Sequence, residues 1–238
     1  MNIENTNLIF GRNPVKEALR ANRVSKIFIT NNFSDKEINL LLQEKKPVIR
    51  VISNAEMDSK CHGVHQGIMA EIKPYEYSDL EEILRRSRKV EVPIIVILDG
   101  INDTHNLGAI LRSCDVFNVT GVLIPKHNQV PLNATVAKSS AGAINFVPVA
   151  QIGSINQTIQ RLKDNGFWIV STDGSAKIDY QQIKYDFPVA LVIGSEGKGV
   201  SQLVIKNSDY VVKIPQYGHV NSLNASVAAG ILLARIRN

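Results

Sequence analysis

Beyond residue 93, short apolar runs rich in β-branched residues alternate with helix-spaced stretches, and this alternation constrains the fold more than any other feature of the chain. The runs lie at 94–98, 121–124, 167–171, 189–193 and 210–214, and stretches 107–117, 155–163 and 223–236 carry apolar residues at helical spacing. Strands that alternate with helices are joined by crossover connections, which make a mostly parallel sheet with helices on both faces, an α/β fold. The last helix is apolar almost throughout and is therefore expected to be buried. Its Ala225, Ala228, Ala229 and Gly230 leave it slim enough for close packing on another helix, within one chain or between two copies.

With 238 residues, 44% hydrophobic and 21% charged, the chain can build one large domain or two modest ones. Its longest apolar run ends at Asp99, far short of the roughly 20 residues that cross a bilayer. The opening Met1-Asn2-Ile3-Glu4-Asn5-Thr6-Asn7 lacks the basic start and apolar centre of a secretory signal. Two cysteines, Cys61 and Cys114, are no disulfide scaffold, so a cytoplasmic protein with reduced thiols is expected. A net charge of +5 favours an anionic partner without identifying one.

Residues 76–92 read as a linker, a charged stretch in which Leu80, Ile83 and Leu84 form a short helical stripe. It would divide a front domain, 1–75, from a second domain, 93–238. Strand candidates at 26–30, 48–52 and 67–72 alternate with helices in the front domain, a small α/β unit. Asn13 reads as the N-cap of its first helix, with Pro14 in the first helical position. Arg12, Lys16 and Arg20 recur at every fourth residue and share one helix face, extended by Arg23, that could lie along a phosphate backbone or simply face water.

Open α/β sheets bind ligands beyond the carboxyl ends of their strands. Three such loops carry polar residues: 99–112, which enters a helix, 194–199 and 215–226. Gly194, Gly197 and Gly199 match neither the dinucleotide fingerprint nor a P-loop, since Lys198 is followed by Gly199 and not by Ser or Thr. A tight structural turn would explain these glycines, but Glu196 among them is not a turn-forming residue, which points to a functional role. Cys61, His62 and His65 lack the second ligand cluster that a closed zinc site needs, so no metal is expected. No serine sits in a G-x-S-x-G elbow.

In order and context these loops resemble the motifs of the SpoU family, the RNA ribose methyltransferases within the trefoil-knotted SPOUT class. Asn106-Leu107-Gly108-Ala109-Ile110-Leu111-Arg112 is similar to its first motif, Leu191-Val192-Ile193-Gly194-Ser195-Glu196-Gly197-Lys198-Gly199 to its second, and Ile214-Pro215 through Ser222-Leu223-Asn224-Ala225-Ser226-Val227-Ala228-Ala229-Gly230 to its third. Ser140-Ala141-Gly142-Ala143 and Val147-Pro148-Val149 resemble the segment between them. Gly11-Arg12-Asn13-Pro14-Val15-Lys16-Glu17-Ala18-Leu19 and His65-Gln66-Gly67 resemble the substrate-binding domain of the ribosomal RNA subfamily, which is itself similar to RNA-binding ribosomal proteins. Thr104, Ser113, Cys114, Asn145 and Ser201 depart from the usual pattern, none at a core catalytic position.

The resemblance implies a knotted C-terminal domain and methyl transfer from S-adenosylmethionine to a ribose 2'-hydroxyl of RNA, at a guanosine of large-subunit ribosomal RNA. A transfer RNA ribose is the alternative within the class, and a non-catalytic RNA-binding or assembly protein the alternative outside it. Arg112 is the family's base, yet a guanidinium normally stays protonated, so binding a phosphate and stabilising the forming alkoxide is equally open, as is a plain salt bridge to Asp99, Asp103 or Asp115. Asn106 would orient Arg112 or the ribose, or cap the helix at 107. Glu196, Ser222 and Asn224 fill the remaining polar catalytic positions. Thr172, Gly194, Ser195, Gly197, Ile214 and Leu223 would surround the cofactor, and Arg12, Lys16, Arg20 and His65 would contact RNA. The same resemblance implies a homodimer with the helix at 223–236 in its interface.

Overall fold

The apolar runs after residue 93 are continuous because they become interior strands of a parallel sheet, buried on both faces. A computed structural model describes residues 8–61, 63–219 and 222–238, so His62, Val220, Asn221 and the N-terminal 1–7 lie outside the described residues. The chain begins β1 (Leu8–Phe10), α1 (Arg12–Arg20), β2 (Val24–Ile29), α2 (Lys36–Lys45), β3 (Val48–Val51), α3 (Asn54–Lys60) and β4 (Ile68–Ile72). It continues α4 (Leu80–Ser87), β5 (Ile94–Asp99), α5 (Thr104–Val116), β6 (Gly121–Pro125), α6 (Ala134–Ser139), β7 (Val149–Ile152), α7 (Ile155–Asp164) and β8 (Trp168–Thr172). It ends with β9 (Ile178–Asp179), β10 (Val189–Gly194), α8 (Gln202–Asn207), β11 (Tyr210–Lys213) and α9 (Ala225–Arg237).

Two compact units result, Met1–Glu76 with Leu132–Phe146, and Tyr77–Pro131 with Val147–Asn238. The first holds a four-stranded sheet in the order β1-β4-β2-β3, in which only β2 and β3 run parallel. Its first helix starts at Arg12, not after Asn13: Gly11 takes the N-cap position with φ 90, a left-handed value suited to glycine, and Pro14 falls inside the first turn. Segment 132–146 belongs to this unit, contrary to the division expected from sequence. Its α6 packs on β1, Lys138 stands 5.1 Å over the Phe10 ring, and a Cβ on Gly142 (φ +93) would lie 2.5 Å from the Glu17 side chain.

The second unit is a seven-stranded sheet in the order β7-β6-β5-β10-β8-β11-β9, parallel at every pairing. One face buries Ile95, Ile97, Ile169, Ala190 and Val192 against side chains of α4, α7 and α8. On the other, α5 packs against α9 and both lie on the sheet. The stretch expected to be a linker therefore is not one, because Ile83 and Leu84 of α4 are buried in this core. The expectation that α9 is buried throughout also changes. Ala229, Leu232 and Leu233 are buried, while Val227 is 49% exposed, and Val116 at the end of α5 is 70% exposed. Among the described residues no helix is long and apolar enough to cross a membrane.

Gly121 is what lets α4 lie against the sheet, since a Cβ there would come within 2.6 Å of Cδ1 and Cγ2 of Ile83. Gly121→Ala should therefore overpack the core and cost about 1–3 kcal/mol, read as a lower melting temperature, and Ile83→Val in the same chain should recover part of the loss.

Candidate active site

Four neighbouring strands, β5, β10, β8 and β11, end at the same edge of the sheet, which brings segments distant in sequence side by side. After β5 the helix α5 begins at Thr104, with Asp103 as its N-cap accepting from His105 N at 3.0 Å. Asn106 is therefore not the cap. It lies in the first turn, only 8% exposed, with its amide free to bond elsewhere. Its Nδ2 donates to Glu196 Oε1 at 3.2 Å, and its Oδ1 accepts from Asn224 Nδ2 at 2.9 Å. Asn224 Nδ2 also donates to Glu196 Oε1. The Oδ1 of Asn224 meanwhile caps α9, accepting from Ser226 N at 2.9 Å and Val227 N at 3.3 Å. One residue from each of the three loops thus joins a single hydrogen-bonded cluster, and the carboxylate at its centre is held by two amide donors.

Beside this cluster runs a cleft of about 480 Å³, a volume typical of small-molecule sites. All six residues expected around the cofactor line it: Thr172, Gly194, Ser195, Gly197, Ile214 and Leu223, with Glu196 and Ser222. Gly194 has no room for a side chain, because a Cβ there would lie 2.1 Å from the Gly199 carbonyl carbon and 2.2 Å from Val200 N. The turn folds back on itself, pairing Ser195 with Gly199, and presents bare backbone to the cleft. Ile193, Val212, Ile214 and Leu223 supply apolar wall and Thr172, Asp173 and Ser222 polar rim, a donor set that fits a ligand with an aromatic base at one end and charged groups at the other. Sequence reasoning misses Asp173, Lys198 and Gln202 in this lining, although Asp173 directly follows β8 and strand-end position was the available signal.

Arg112 is not drawn into the cluster. Six residues beyond Asn106 it points about 240° further round α5, where it is exposed. The salt bridge to an aspartate is not formed: among the described residues Arg112 has no ion-pair partner, Asp99 accepts from Ser201 N at 2.9 Å, and Asp103 serves as the cap. Cys114, two residues on, is fully buried, and burial pushes its thiol well above the ordinary range.

The sequence profile of the SpoU rRNA Methylase family matches residues 93–234, and that of the RNA 2'-O ribose methyltransferase substrate-binding domain matches residues 8–78. A protein of Staphylococcus aureus strain MSSA476, assigned by name to the TrmH family of tRNA/rRNA methyltransferases, is 42% identical over 234 residues, 96% of this chain and 94% of its own. The chain belongs to the SpoU rRNA methylase family. Its fold is shared with the SpoU methyltransferase AviRb of Streptomyces viridochromogenes, crystallised with S-adenosylmethionine (TM-score 0.81, 21% identity, 97% of this chain and 88% of that one). The TrmH/SpoU tRNA-modifying enzyme of A. aeolicus matches with TM-score 0.56 and 31% identity, over 66% of this chain and 82% of its own.

In the first unit of this SpoU protein the four side chains expected to contact RNA all have intramolecular partners. Arg12 pairs with Asp35 at 3.4 Å, Lys16 with Glu37 at 2.8 Å, and Arg20 with Glu17 at 2.5 Å and with Glu37. Lys16 holds the Glu37 carboxyl below the usual carboxylate range through its hydrogen bond. His65 accepts from Gly67 N at 2.9 Å on Nδ1, which leaves Nε2 to donate to Asp58 at 3.0 Å. Arg23 donates to the carbonyls of Lys73 and Pro74 and stacks 4.3 Å from the Tyr75 ring, so it does not extend the stripe.

Replacing the amide of Asn224 by a carboxylate separates its two jobs. Asn224→Asp keeps the oxygen that caps α9 but replaces a donor to Glu196 by a second carboxylate. It should lose about 1–2 kcal/mol through charge repulsion, and Glu196→Gln in the same chain should recover most of that loss, whereas it should recover none of the cap that Asn224→Ala removes. Thermal unfolding of the single and double variants at neutral pH measures the difference.

Proposed function

We propose that this SpoU protein methylates a ribose 2'-hydroxyl of RNA, at a guanosine of large-subunit ribosomal RNA, using S-adenosylmethionine. The observation that carries this reading is the Asn106–Glu196–Asn224 cluster standing on the rim of a cleft lined by the three strand-end loops. A non-catalytic relative would have no need to keep these polar groups together. Bound in the cleft, S-adenosylmethionine supplies a sulfonium methyl open to attack by an oxygen. Thr172, Gly194, Ser195, Gly197, Ile214 and Leu223 would hold it. Transfer then depends on placing a weakly acidic hydroxyl about 3 Å from that methyl and stabilising the charge as its proton leaves. Ser222 and Asn224 are the groups available to hold the ribose, and Glu196 fixes Asn106 and Asn224. Arg112, permanently cationic and without an ion-pair partner among the described residues, is suited to hold the adjoining phosphate and stabilise the alkoxide.

The same reading includes a homodimer, which the surfaces of α5 and α9 support. Ala109, Arg112, Ser113 and Val116 form one stripe along α5, and Val227 and Gly230 lie on the neighbouring α9, where a Cβ on Gly230 would be 3.7 Å from Ser113 Oγ. Apart from Arg112 and Ser113 this face is apolar and slim, with Val227 49% and Val116 70% exposed, and it suits a second copy, whose docking would carry Arg112 into the interface. The trefoil knot belongs to the same reading, carried by the likeness to the family. The ribosomal target is favoured over transfer RNA by the substrate-binding unit at residues 8–78, because the A. aeolicus tRNA-modifying enzyme matches only 66% of the chain.

Incubating the protein with methyl-labelled S-adenosylmethionine and total RNA from cells lacking it should label large-subunit ribosomal RNA as a 2'-O-methylguanosine. Arg112→Ala should lower the turnover about 100- to 1,000-fold while the affinity for S-adenosylmethionine stays within about twofold. Label confined to transfer RNA would redirect the target, and unlabelled RNA would overturn the reading.

A further inference from the structure

Tyr217 is 96% exposed, more than any other large apolar side chain among the described residues. An aromatic ring left in water forgoes the burial that makes such residues stabilising, so nothing in the folding of the chain accounts for it. It takes no part in the ring pairs or cation contacts of the described residues, whereas Trp168, Phe187 and Tyr210 stack together elsewhere in the unit. Its position is specific. Lys213, Ile214 and Gln216, directly before it, line the cleft together with Gly197, Lys198 and Ser222, so Tyr217 is an exposed neighbour of the cleft wall. Lys198 there forms no ion pair among the described residues and offers a charge to a phosphate.

A ribose buried in stacked, paired RNA cannot be presented to a cleft of this kind without unstacking its base, and the stacking lost has to be replaced. An exposed ring does this for any of the four bases, because each has a π-face. We propose that Tyr217 is the stacking platform for an unstacked nucleobase of the substrate RNA, at or beside the methylated nucleotide, and so a positioning residue for the transfer. The inference rests on the RNA methylation proposed above and adds to it a residue that the sequence reading gave no role.

The test compares wild type with Tyr217→Ala, Tyr217→Phe and Tyr217→Trp, using total RNA from cells lacking the protein as substrate. Tyr217→Ala should lower kcat/KM for RNA about 5- to 100-fold, the weight of one stacked base, mainly through KM. Phe and Trp should restore most of it, and the Kd for S-adenosylmethionine, measured without RNA, should stay within about twofold. Three results would overturn the inference: Ala equal to wild type, Phe as damaging as Ala, or Ala dissociating a dimer seen by light scattering, which would make Tyr217 a contact with a second copy. If wild type itself methylates no RNA, the functional reading fails and this one falls with it; if wild type is active and Ala is unaffected, this one fails alone.

Discussion

The Glu196 carboxylate accepts from two amides that the chain supplies from opposite directions, Asn106 from 90 residues earlier and Asn224 from 28 residues later. Those bonds tie the start of α5, the turn after β10 and the start of α9 into one wall. A hydrogen bond to a charged acceptor is worth about 1.5–3 kcal/mol, more than a neutral one, and partial burial strengthens it. The same Asn224 caps α9, so the orientation of the last helix and the shape of the cleft are set by one side chain. The arrangement is possible only because the sheet is parallel throughout, which gathers the carboxyl ends of β5, β10, β8 and β11 at one edge.

Much of the second unit is legible in its sequence because an interior parallel strand must be apolar on both faces, and runs such as 94–98 and 189–193 have no other good use. The strand β7 and the helices α6 and α8 are too short for their periodicity to stand out, at four and six residues. Charge disguises α4: its buried Ile83, Leu84 and Ser87 sit among glutamates and arginines. The start of α1 is set by the backbone of Gly11, which outweighs the capping preference of Asn13. Within the site, each of Asn106, Glu196 and Asn224 stands out in its own loop. That they bond to one another does not, because nothing local encodes a contact across 118 residues.

The basic stripe of α1 shows the opposite limit. Spacing correctly puts Arg12, Lys16 and Arg20 on one face, but their partners Asp35 and Glu37 come from another element, and helical periodicity carries no information about them. The stripe is therefore less cationic than its sequence suggests. Exposed ion pairs of this type contribute little to stability and exchange readily, so a phosphate backbone can compete for the same side chains at small cost. Substrate affinity drawn from this unit would then be modest and salt-sensitive, which leaves the precise presentation of the ribose to the rim of the cleft in the second unit.

The central claim, that the clustered loops serve ribose methylation, is tested most directly in the RNA itself. Mapping 2'-O-methyl groups by their protection of the following phosphodiester from alkaline cleavage, in ribosomal and transfer RNA from cells with and without the protein, reads the product at nucleotide resolution. The account predicts one guanosine of large-subunit ribosomal RNA that is protected only when the protein is present, with protection lost when Glu196 is replaced by alanine. Identical protection patterns in the two cells, at every position of both RNA classes, would contradict it.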